Sequence, residues 1–125
     1  MSVESGLKKA GALGKGPARA HLFLCLGPEC CSLKEGKKVW DYLKEATAEL
    51  EKKQGILVLR TKADCLRVCS GGPWLVVYPE GTWYGDVTVE RCARILEEHV
   101  VGGRPVEKWA AATQPLTGCE KKDGA

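Results

Sequence analysis

The sequence ADCLRVCSGGPWLVVYPEG, residues 63–81, places two thiols close together immediately before a turn and a strongly apolar run. Cys65 and Cys69 are separated by three residues, Gly-Gly-Pro follows, and the chain continues as WLVVY over residues 74–78. Glycine and proline here predict a sharp turn, and the branched and aromatic side chains predict a buried strand. Two thiols at this spacing are compatible with a helix core, a disulfide, or half of a zinc or iron–sulfur site.

The regions on either side of this stretch predict alternating strands and helices. Short apolar runs indicate strands, apolar residues at helical spacing indicate two amphipathic helices, and Pro-Glu-Gly between two apolar runs indicates a hairpin. The predicted elements are, in chain order, a strand at 21–25, a helix from 37 to about 53, a strand at 56–60, a strand at 74–78, a strand from 82, and a helix from 88 to about 102. The element order is therefore β-α-β-β-β-α.

This element order is that of an α/β (α+β) domain with a thioredoxin-like fold. A strand, a helix and a strand in succession form a right-handed crossover and a parallel strand pair, and the hairpin adds two antiparallel strands. We therefore expect a four-stranded mixed sheet flanked by helices. We expect this domain to cover residues 21–109, after a disordered basic leader at 1–20 and before a loose C-terminal tail at 110–125.

Charge and composition exclude several classes of protein. A chain of 125 residues is long enough for one domain with its own core. Residues 1–20 carry a net charge of +3, the whole formal excess, so the predicted domain is balanced and lacks the basic surface of a nucleic-acid-binding domain. No run of about 18 apolar residues predicts a membrane helix. Contact of the leader with RNA or a membrane stays open, but we predict no nucleic-acid or membrane partner for the domain.

Seven cysteines are unusually many for a chain without a recognisable secretion signal. The N-terminal residues are basic but contain no apolar segment of the kind that directs secretion, which predicts a reducing, cytoplasmic environment. In such an environment clustered cysteines more often hold metals or perform redox chemistry than form disulfides. We therefore expect a metal or redox site.

Four of the cysteines are expected at the same edge of the sheet. Cys25 ends the first strand and Cys30 lies in the loop that follows, while Cys65 and Cys69 follow the second strand. The carboxyl ends of parallel strands share one edge of a sheet, so the two loops converge there. Four thiolates are the ligand set of both a 2Fe–2S cluster and structural zinc. The gaps of four and three residues are wider than those of zinc knuckles, which favours the cluster.

The cysteine segment also resembles a known family. The string CLRVCSGGPWLVVYPEGTWYGDVTVE, preceded by Cys25-x4-Cys30 and followed by HVVGGRPVEKW, is similar to the thioredoxin-like 2Fe–2S ferredoxins and to the related small cluster-binding subunit of respiratory NADH dehydrogenases. The match covers residues 21–109. The resemblance implies a single 2Fe–2S cluster near the surface, held by Cys25, Cys30, Cys65 and Cys69. It further implies a one-electron carrier, not an enzyme, which exchanges electrons with redox partner proteins and commonly forms a homodimer.

The sequence leaves two alternative functions and one alternative ligand open. A thiol–disulfide oxidoreductase on the same fold would use Cys25, Cys30 or Cys31 as its nucleophile, although the chain lacks the Cys-x-x-Cys motif of such enzymes. A zinc-stabilised interaction module would use the same four cysteines as the cluster. Cys31 is adjacent to Cys30 and could replace it as a ligand, although the four-residue gap favours Cys30.

The other two cysteines and the two histidines are not expected to bind a metal. Cys92 lies on the apolar face of the last helix and is predicted to be a buried hydrophobe. Cys119 lies in the polar tail and is predicted to be an exposed free thiol. His21 and His99 have no ligand-like neighbours and are predicted to lie at the surface or at a helix end, which gives no support to a Rieske-type site.

The residues of the two turns next to the cysteines have predicted structural roles. Gly27, Gly71 and Gly72 are expected to let the backbone approach a cluster closely and to direct N–H groups at sulfur. The peptide bond between Gly72 and Pro73 is predicted to be cis. Trp74 is larger than the small aliphatic residue expected after this turn, so we expect different packing beneath the loop.

Three basic residues flank the second cysteine pair, and they have two interpretations. Arg60 and Lys62 precede the pair, and Arg67 lies between its two cysteines. Either they form a solvated face, or they attract an acidic redox partner.

Overall fold

The computed structural model describes residues 2–10 and 16–116. Its helices and strands are, in chain order, α1 (Val3–Ala10), β1 (Ala20–Cys25), α2 (Leu33–Gln54), β2 (Val58–Ala63), β3 (Leu75–Tyr78), β4 (Thr82–Tyr84), α3 (Val89–Arg94) and β5 (Ala110–Thr113). The chain continues from α3 as a π-helical segment, Ile95–Val101. The predicted order β-α-β-β-β-α is present, with one further helix before it and one further strand after it.

The five strands form one mixed sheet in the order β2-β1-β3-β4-β5. β1 and β2 are parallel, whereas the other neighbouring pairs are antiparallel. Cys25, the last residue of β1, is opposite Ala63, the last residue of β2. The loops that follow these two strands therefore leave the sheet at the same edge, which confirms the predicted position of the two cysteine loops.

The helices pack against one face of this sheet and form the core with it. Leu22, Leu24 and Leu75 are fully buried, and they share the core with Leu43 of α2 and Ile95 of the π-helical segment. Burial of side chains of this size contributes about 1.5–3 kcal/mol each relative to exposure. The core therefore fixes the strands whose ends carry the cysteine loops.

The other face of the sheet carries half-buried aromatic residues. The ring of His21 stacks on Phe23 with the centroids 4.3 Å apart, and the ring of Tyr78 contacts Phe23 edge-on at 5.7 Å. His21 was predicted to lie at the surface. It is half-buried instead, because this stacking and a 2.8 Å hydrogen bond between its Nε2 and Thr61 Oγ1 hold its ring against the sheet.

α2 begins four residues earlier than predicted, because Ser32 caps its first turn. Ser32 Oγ accepts a hydrogen bond from the backbone N–H of Glu35 at 3.1 Å. Gly55 ends the helix in the left-handed conformation, with φ 68°, as predicted. At the start of α3 the predicted cap is also confirmed, since Thr88 Oγ1 accepts from the N–H of Arg91 at 3.1 Å.

β2 lies at 58–63 rather than at the predicted 56–60. The N–H of Ile56 donates to the carbonyl of Leu50, which makes Ile56 part of the turn that closes α2. The strand then extends through Arg60, Thr61 and Lys62, which are exposed. These polar residues fit a strand because β2 is at the edge of the sheet, where side chains are not enclosed.

β5 corrects two predictions, the four-stranded sheet and the loose tail from residue 110. Ala110–Thr113 pairs antiparallel with β4, and the N–H of Gln114 donates to the carbonyl of Gly81 at 2.7 Å. The segment Ala-Ala-Ala-Thr has neither alternation nor branched apolar residues, so no strand pattern is visible in it. Its partner supplies the structure, because β4 offers an unpaired edge. The predicted tail beyond residue 116, with Cys119, lies outside the described residues.

α1 likewise differs from the disordered leader predicted for residues 1–20. The helix is exposed at Val3, and it has Glu4 in its first turn and Lys8 and Lys9 in its last turn. This arrangement complements the helix dipole. None of the helices in the described parts of the chain is long and apolar enough to span a membrane.

Candidate metal centre

Three thiols lie together at the carboxyl end of β1. The sulfur atoms of Cys25, Cys30 and Cys31 are all within 4.8 Å of one another. Cys25 and Cys30 are buried, whereas Cys31 is half-buried. Soft sulfur donors this close together, at the protein surface but largely shielded from water, suit zinc or an iron–sulfur cluster.

The second cysteine pair lies in the loop that follows β2. Cys65 and Cys69 are both exposed, and they are not part of the group of three sulfur atoms. Cys65 is nevertheless next to Cys69 and raises the pKa of that thiol, and the charge of Cys30 contributes in the same direction. The two loops thus bring their thiols within electrostatic range, with Cys30 as the member of the first group that acts on the second pair.

The first group of thiols is electrostatically crowded. Burial, together with the neighbouring Cys30 and Cys31, raises the pKa of Cys25 to about 12, although a hydrogen bond from the Trp74 N–H opposes this shift. Burial and the adjacent Cys30 raise the pKa of Cys31 to about 11. Several thiolates cannot form side by side in such a place without a compensating cation. The group therefore keeps its protons unless a metal neutralises it.

Two backbone N–H groups point at sulfur, one in each loop. The N–H of Trp74 donates to Cys25 Sγ at 3.1 Å, and the N–H of Arg67 donates to Cys65 Sγ at 3.1 Å. We predicted such donors from Gly27, Gly71 and Gly72, and this was wrong. The N–H of Gly72, for example, donates to the carbonyl of Cys30 at 2.8 Å, because the turn is bound to the loop backbone.

A close approach of the backbone is present at Gly27 and Gly72 but not at Gly71, where a Cβ atom would make only ordinary contact with the Trp74 ring at 3.7 Å. A Cβ atom at Gly27 would lie 2.2 Å from the carbonyl oxygen of Cys31, and one at Gly72 would lie 2.7 Å from that of Cys30. Both distances are far below van der Waals contact. Glycine is therefore required at both positions. At Gly72 the turn that begins the hairpin is held against Cys30, and at Gly27 the loop that follows β1 is held against Cys31.

Comparison with known proteins identifies the family. No family model matches the chain. A 2Fe–2S ferredoxin of Clostridium pasteurianum is 32% identical over 96 residues, which cover 70% of this chain and 91% of the relative. A 2Fe–2S ferredoxin of Aquifex aeolicus is 30% identical over 95 residues, covering 70% of this chain and 85% of the relative. The solved structure of a thioredoxin-like [2Fe–2S] ferredoxin from Aquifex aeolicus has a TM-score of 0.68 and 28% identity, covering 83% of this chain and 100% of that one.

The chain belongs to the thioredoxin-like 2Fe–2S ferredoxin family. A second structure of the Aquifex aeolicus ferredoxin, at 1.5 Å resolution, gives a TM-score of 0.65 over 77% of this chain and 99% of that one. The predicted family and the thioredoxin-like fold are therefore confirmed.

Trp74 is larger than the small aliphatic residue expected after the turn, and the structure shows how the loop accommodates it. The predicted cis peptide between Gly72 and Pro73 is present. The indole Nε1–H of Trp74 donates to the carbonyl of Ser70 at 2.8 Å, which ties the end of the cysteine loop to the hairpin. A Cβ atom at Gly85 would lie 2.9 Å from the Trp74 ring. The large side chain is accommodated because position 85 has no side chain.

The backbone conformation of Arg67 is a feature of the site that sequence patterns do not reveal. Its φ of 72° is in the left-handed region, which is unfavourable for a residue other than glycine. This conformation accompanies the hydrogen bond from its N–H to Cys65. A backbone strain of about 1–3 kcal/mol persists only where surrounding contacts compensate for it. In this loop the hydrogen bond from the Arg67 N–H to Cys65 is such a contact.

Cys92 and His99, which were predicted not to bind a metal, are not part of the group of thiols at the end of β1. Cys92 is fully buried, as predicted, and burial raises its pKa to about 12. His99 was predicted to be a surface or helix-end residue. It lies near the end of the π-helical segment but is only 3% exposed, because its Nδ1 bonds Tyr84 OH at 2.8 Å and its Nε2 bonds Glu80 at 3.0 Å.

Proposed function

We propose that this protein is a one-electron carrier with a single 2Fe–2S cluster. The ligands in this proposal are Cys25, Cys30, Cys65 and Cys69. The observation that carries it is the group of three sulfur atoms within 4.8 Å of one another, with the second cysteine pair in electrostatic range. The similarity to 2Fe–2S ferredoxins over most of the chain supports the same function.

The residues at the site fit such a cluster. Thiolates are the ligands of 2Fe–2S clusters, and N–H groups directed at sulfur help to set their potential. The Trp74 and Arg67 N–H groups supply one such bond in each loop. When bound, a 2Fe–2S cluster supplies a reversible one-electron couple.

The chain itself shields one side of the site and leaves the other accessible. Cys25 and Cys30 are buried against the fold, and the Trp74 backbone closes over Cys25. Cys65 and Cys69 are exposed. A partner protein would therefore approach from the side of the second loop, and an electron would cross only a thin layer of protein there.

The thiol–disulfide oxidoreductase alternative is disfavoured by the electrostatics. A nucleophilic cysteine of that kind needs a lowered pKa. In this site the pKa values of Cys25 and Cys31 are instead raised to about 12 and about 11. The chain also lacks the Cys-x-x-Cys motif of such enzymes, so we assign no catalytic nucleophile and propose that the protein is not an enzyme. A zinc-stabilised module with the same ligands is distinguished by metal analysis.

The cellular context is proposed on the basis of the family resemblance and the composition. We propose a cytoplasmic homodimer whose partners are other redox proteins and whose functional domain extends from β1 to β5, beyond the residues 21–109 predicted from the sequence. The mass in solution, measured by sedimentation equilibrium on the full chain, tests the dimer: a monomer at micromolar concentration would contradict it.

Anaerobic purification tests the central proposal. We expect a red-brown protein with two iron and two sulfide ions per chain. A paramagnetic signal should appear only after reduction by one electron. Cys65→Ser and Cys69→Ser should each reduce the visible absorption strongly, whereas Cys92→Ala, which changes a buried thiol away from the site, should retain it. A colourless protein that contains zinc, or no metal, would rule the proposal out.

A further inference from the structure

We propose that one edge of the sheet binds a carboxylate-rich surface on the redox partner. This edge, called here the basic face, consists of Lys37, Trp40, Lys44, Arg60 and Lys62. The inference rests on the proposed electron-carrier function, because it names the kind of partner and the place where that partner binds.

An indole ring holds two cations at the centre of the basic face. The Cζ atom of Arg60 is 5.3 Å and the Nζ atom of Lys62 is 5.8 Å from the centroid of the Trp40 ring. Both cations are exposed on β2, and Trp40 is half-buried on α2. Contact with an aromatic ring stabilises a cation by about 0.5–1 kcal/mol at exposed sites but leaves its charge in place. The two positive charges are thus positioned but not neutralised.

α2 adds two lysines and a single carboxylate. Lys37 is 2.8 Å and Lys44 is 3.8 Å from Asp41. The pKa of Asp41 is lowered mainly by its hydrogen bond to Lys37, and also by the charges of Lys44 and Lys62. Asp41 therefore lies among the cations of both elements. Three lysines act on one carboxylate, and Arg60 lies beside them over the Trp40 ring, although residues 21–125 carry no net charge overall.

The basic face is directly connected to the cysteine loop. β2 is an edge strand, and Lys62 lies opposite Leu24, the residue before Cys25. Three residues after Lys62 comes Cys65, a chain distance of at most about 11 Å. Arg67, which is exposed, continues the positive charge onto the loop itself. A partner bound at the basic face therefore lies beside the exposed pair of cysteines.

The chemistry of the contact is binding and orientation. The exchange transfers one electron between the two proteins and moves no atom or proton, so the face contributes by raising the local concentration of the partner and fixing its approach. Clustered charges of one sign accelerate association with an oppositely charged surface, and salt weakens this effect. Carboxylates are the groups that supply such a surface on a protein.

A second tryptophan with cations provides a matched control. Arg91, Arg94 and Lys108 lie 4.9, 5.9 and 5.1 Å from the ring centroid of Trp109. Trp109 directly precedes β5, at the opposite edge of the sheet from β2. Arg94 is also bound to Glu98 at 2.6 Å. This cluster also places cations around a tryptophan ring, but it lies at the edge of the sheet opposite the strand that leads into the cysteine loop.

Binding of fluorescein-labelled poly-L-glutamate to the full chain, measured by fluorescence anisotropy, tests the inference. Arg60→Glu combined with Lys62→Glu should weaken binding by about tenfold or more, and raising the salt should reduce that difference. The control, Arg91→Glu combined with Lys108→Glu, should weaken it by no more than about twofold. Arg60→Lys should keep the affinity, because it keeps the charge. Circular dichroism establishes that each variant is folded.

Oxidation of the reduced protein, followed by stopped flow, gives a second measurement. The Arg60→Glu, Lys62→Glu variant should react more slowly than wild type with anionic hexacyanoferrate(III), but not with cationic hexaamminecobalt(III). If the control variant reacted with hexacyanoferrate(III) as slowly as the Arg60→Glu, Lys62→Glu variant, the inference would be overturned, since the change in net charge alone would then account for the slower reaction. The inference would also be overturned if a single-stranded RNA oligonucleotide bound to the same residues more tightly than poly-L-glutamate does. If the protein has no cluster, the proposed function fails, and the poly-L-glutamate measurement still decides whether the face binds carboxylates.

Discussion

Cys30 and Cys31 offer two sulfur atoms at a position where a four-cysteine site needs one. Their sulfur atoms are 3.8 Å apart. Cys30 is 5% exposed, its carbonyl accepts a hydrogen bond from Gly72, and its charge acts on Cys69. Cys31 is less buried, and the charged groups that act on it are Cys30 and Glu35. Cys30 is therefore the one of the two that is bound to the segment following the second pair.

We predict that Cys30→Ser loses most of the bound iron and that Cys31→Ser retains it. The physical reason is that Cys30, through the hydrogen bond from the N–H of Gly72 to its carbonyl, is the residue held against the segment that carries the second pair. Iron and acid-labile sulfide per chain, with the visible spectrum, measure the result after anaerobic purification. The opposite pattern would show that Cys31 is the ligand.

We also predict that Gly72→Ala impairs cluster retention without unfolding the domain. The new Cβ atom would lie 2.7 Å from the carbonyl of Cys30, so the loop that carries the ligand must move. Gly6→Ala is the matched control, since a Cβ atom there meets nothing within 4 Å. The rate at which visible absorption is lost under a chelator should rise severalfold in Gly72→Ala only. Equal rates would mean that the contact has no effect on the ligand.

For single residues, the sequence predicts which residue types form the site, but not which backbone N–H groups donate hydrogen bonds to them. Spacing brings Cys25 and Cys65 to one sheet edge because strand ends are fixed by topology. The N–H donors from Trp74 and Arg67 could not be predicted, because each depends on the backbone conformation of the segment between β2 and β3. The left-handed conformation of Arg67 contradicts its own residue preference.

At the scale of elements, one buried hydroxyl connects β4 to the segment that leads into β5. Tyr84 OH accepts a hydrogen bond from the N–H of Val106 at 2.9 Å and bonds His99 Nδ1 at 2.8 Å. All three residues are buried. β5 therefore pairs with β4 at an edge that is also fixed from inside the core.

We predict that Tyr84→Phe lowers the free energy of unfolding by about 1–3 kcal/mol, because it leaves a buried N–H and a buried imidazole nitrogen without their partner. Hydrogen exchange at the Val106 amide should accelerate more than exchange in β1. Tyr78→Phe is the control: Tyr78 is half-buried, and its hydroxyl makes no hydrogen bond to the described residues. If both variants were equally stable in urea, the hydroxyl would have no structural role.

The elements with a strong local signal were predictable, and those defined by their neighbours were not. The caps at Thr88 and Gly55 follow from the residues themselves. β5 has no such signal, and the burial of His99 arises from a tyrosine and a glutamate that are distant in sequence. Tertiary contact overrides local pattern in both cases.

For the whole molecule, counting charges hides how they are distributed. The whole formal excess of positive charge lies in residues 1–20. The folded part nevertheless concentrates cations at the two edges of the sheet, around Trp40 and Trp109. A sequence count cannot show this, because only the strand order puts these residues at edges.

The response of the whole fold to alkaline pH should depend on one buried thiol. Burial raises the pKa of Cys92 from about 9 to about 12, so the folded state keeps a proton that the unfolded state loses. The stability due to this group is complete below pH 9 and is lost as the pH rises towards 12, at up to about 1.4 kcal/mol per pH unit.

We therefore predict that the free energy of unfolding falls less steeply above pH 9 in Cys92→Ala than in wild type. The variant should be less stable at pH 7, because it leaves a small cavity in the core, so the slopes rather than the values are compared. Urea unfolding under anaerobic conditions at pH 7, 9, 10 and 11 measures both, and the tyrosines and the metal site contribute equally to the two proteins. Parallel curves would contradict the prediction, because they would show that Cys92 ionises in the folded state as readily as in the unfolded chain.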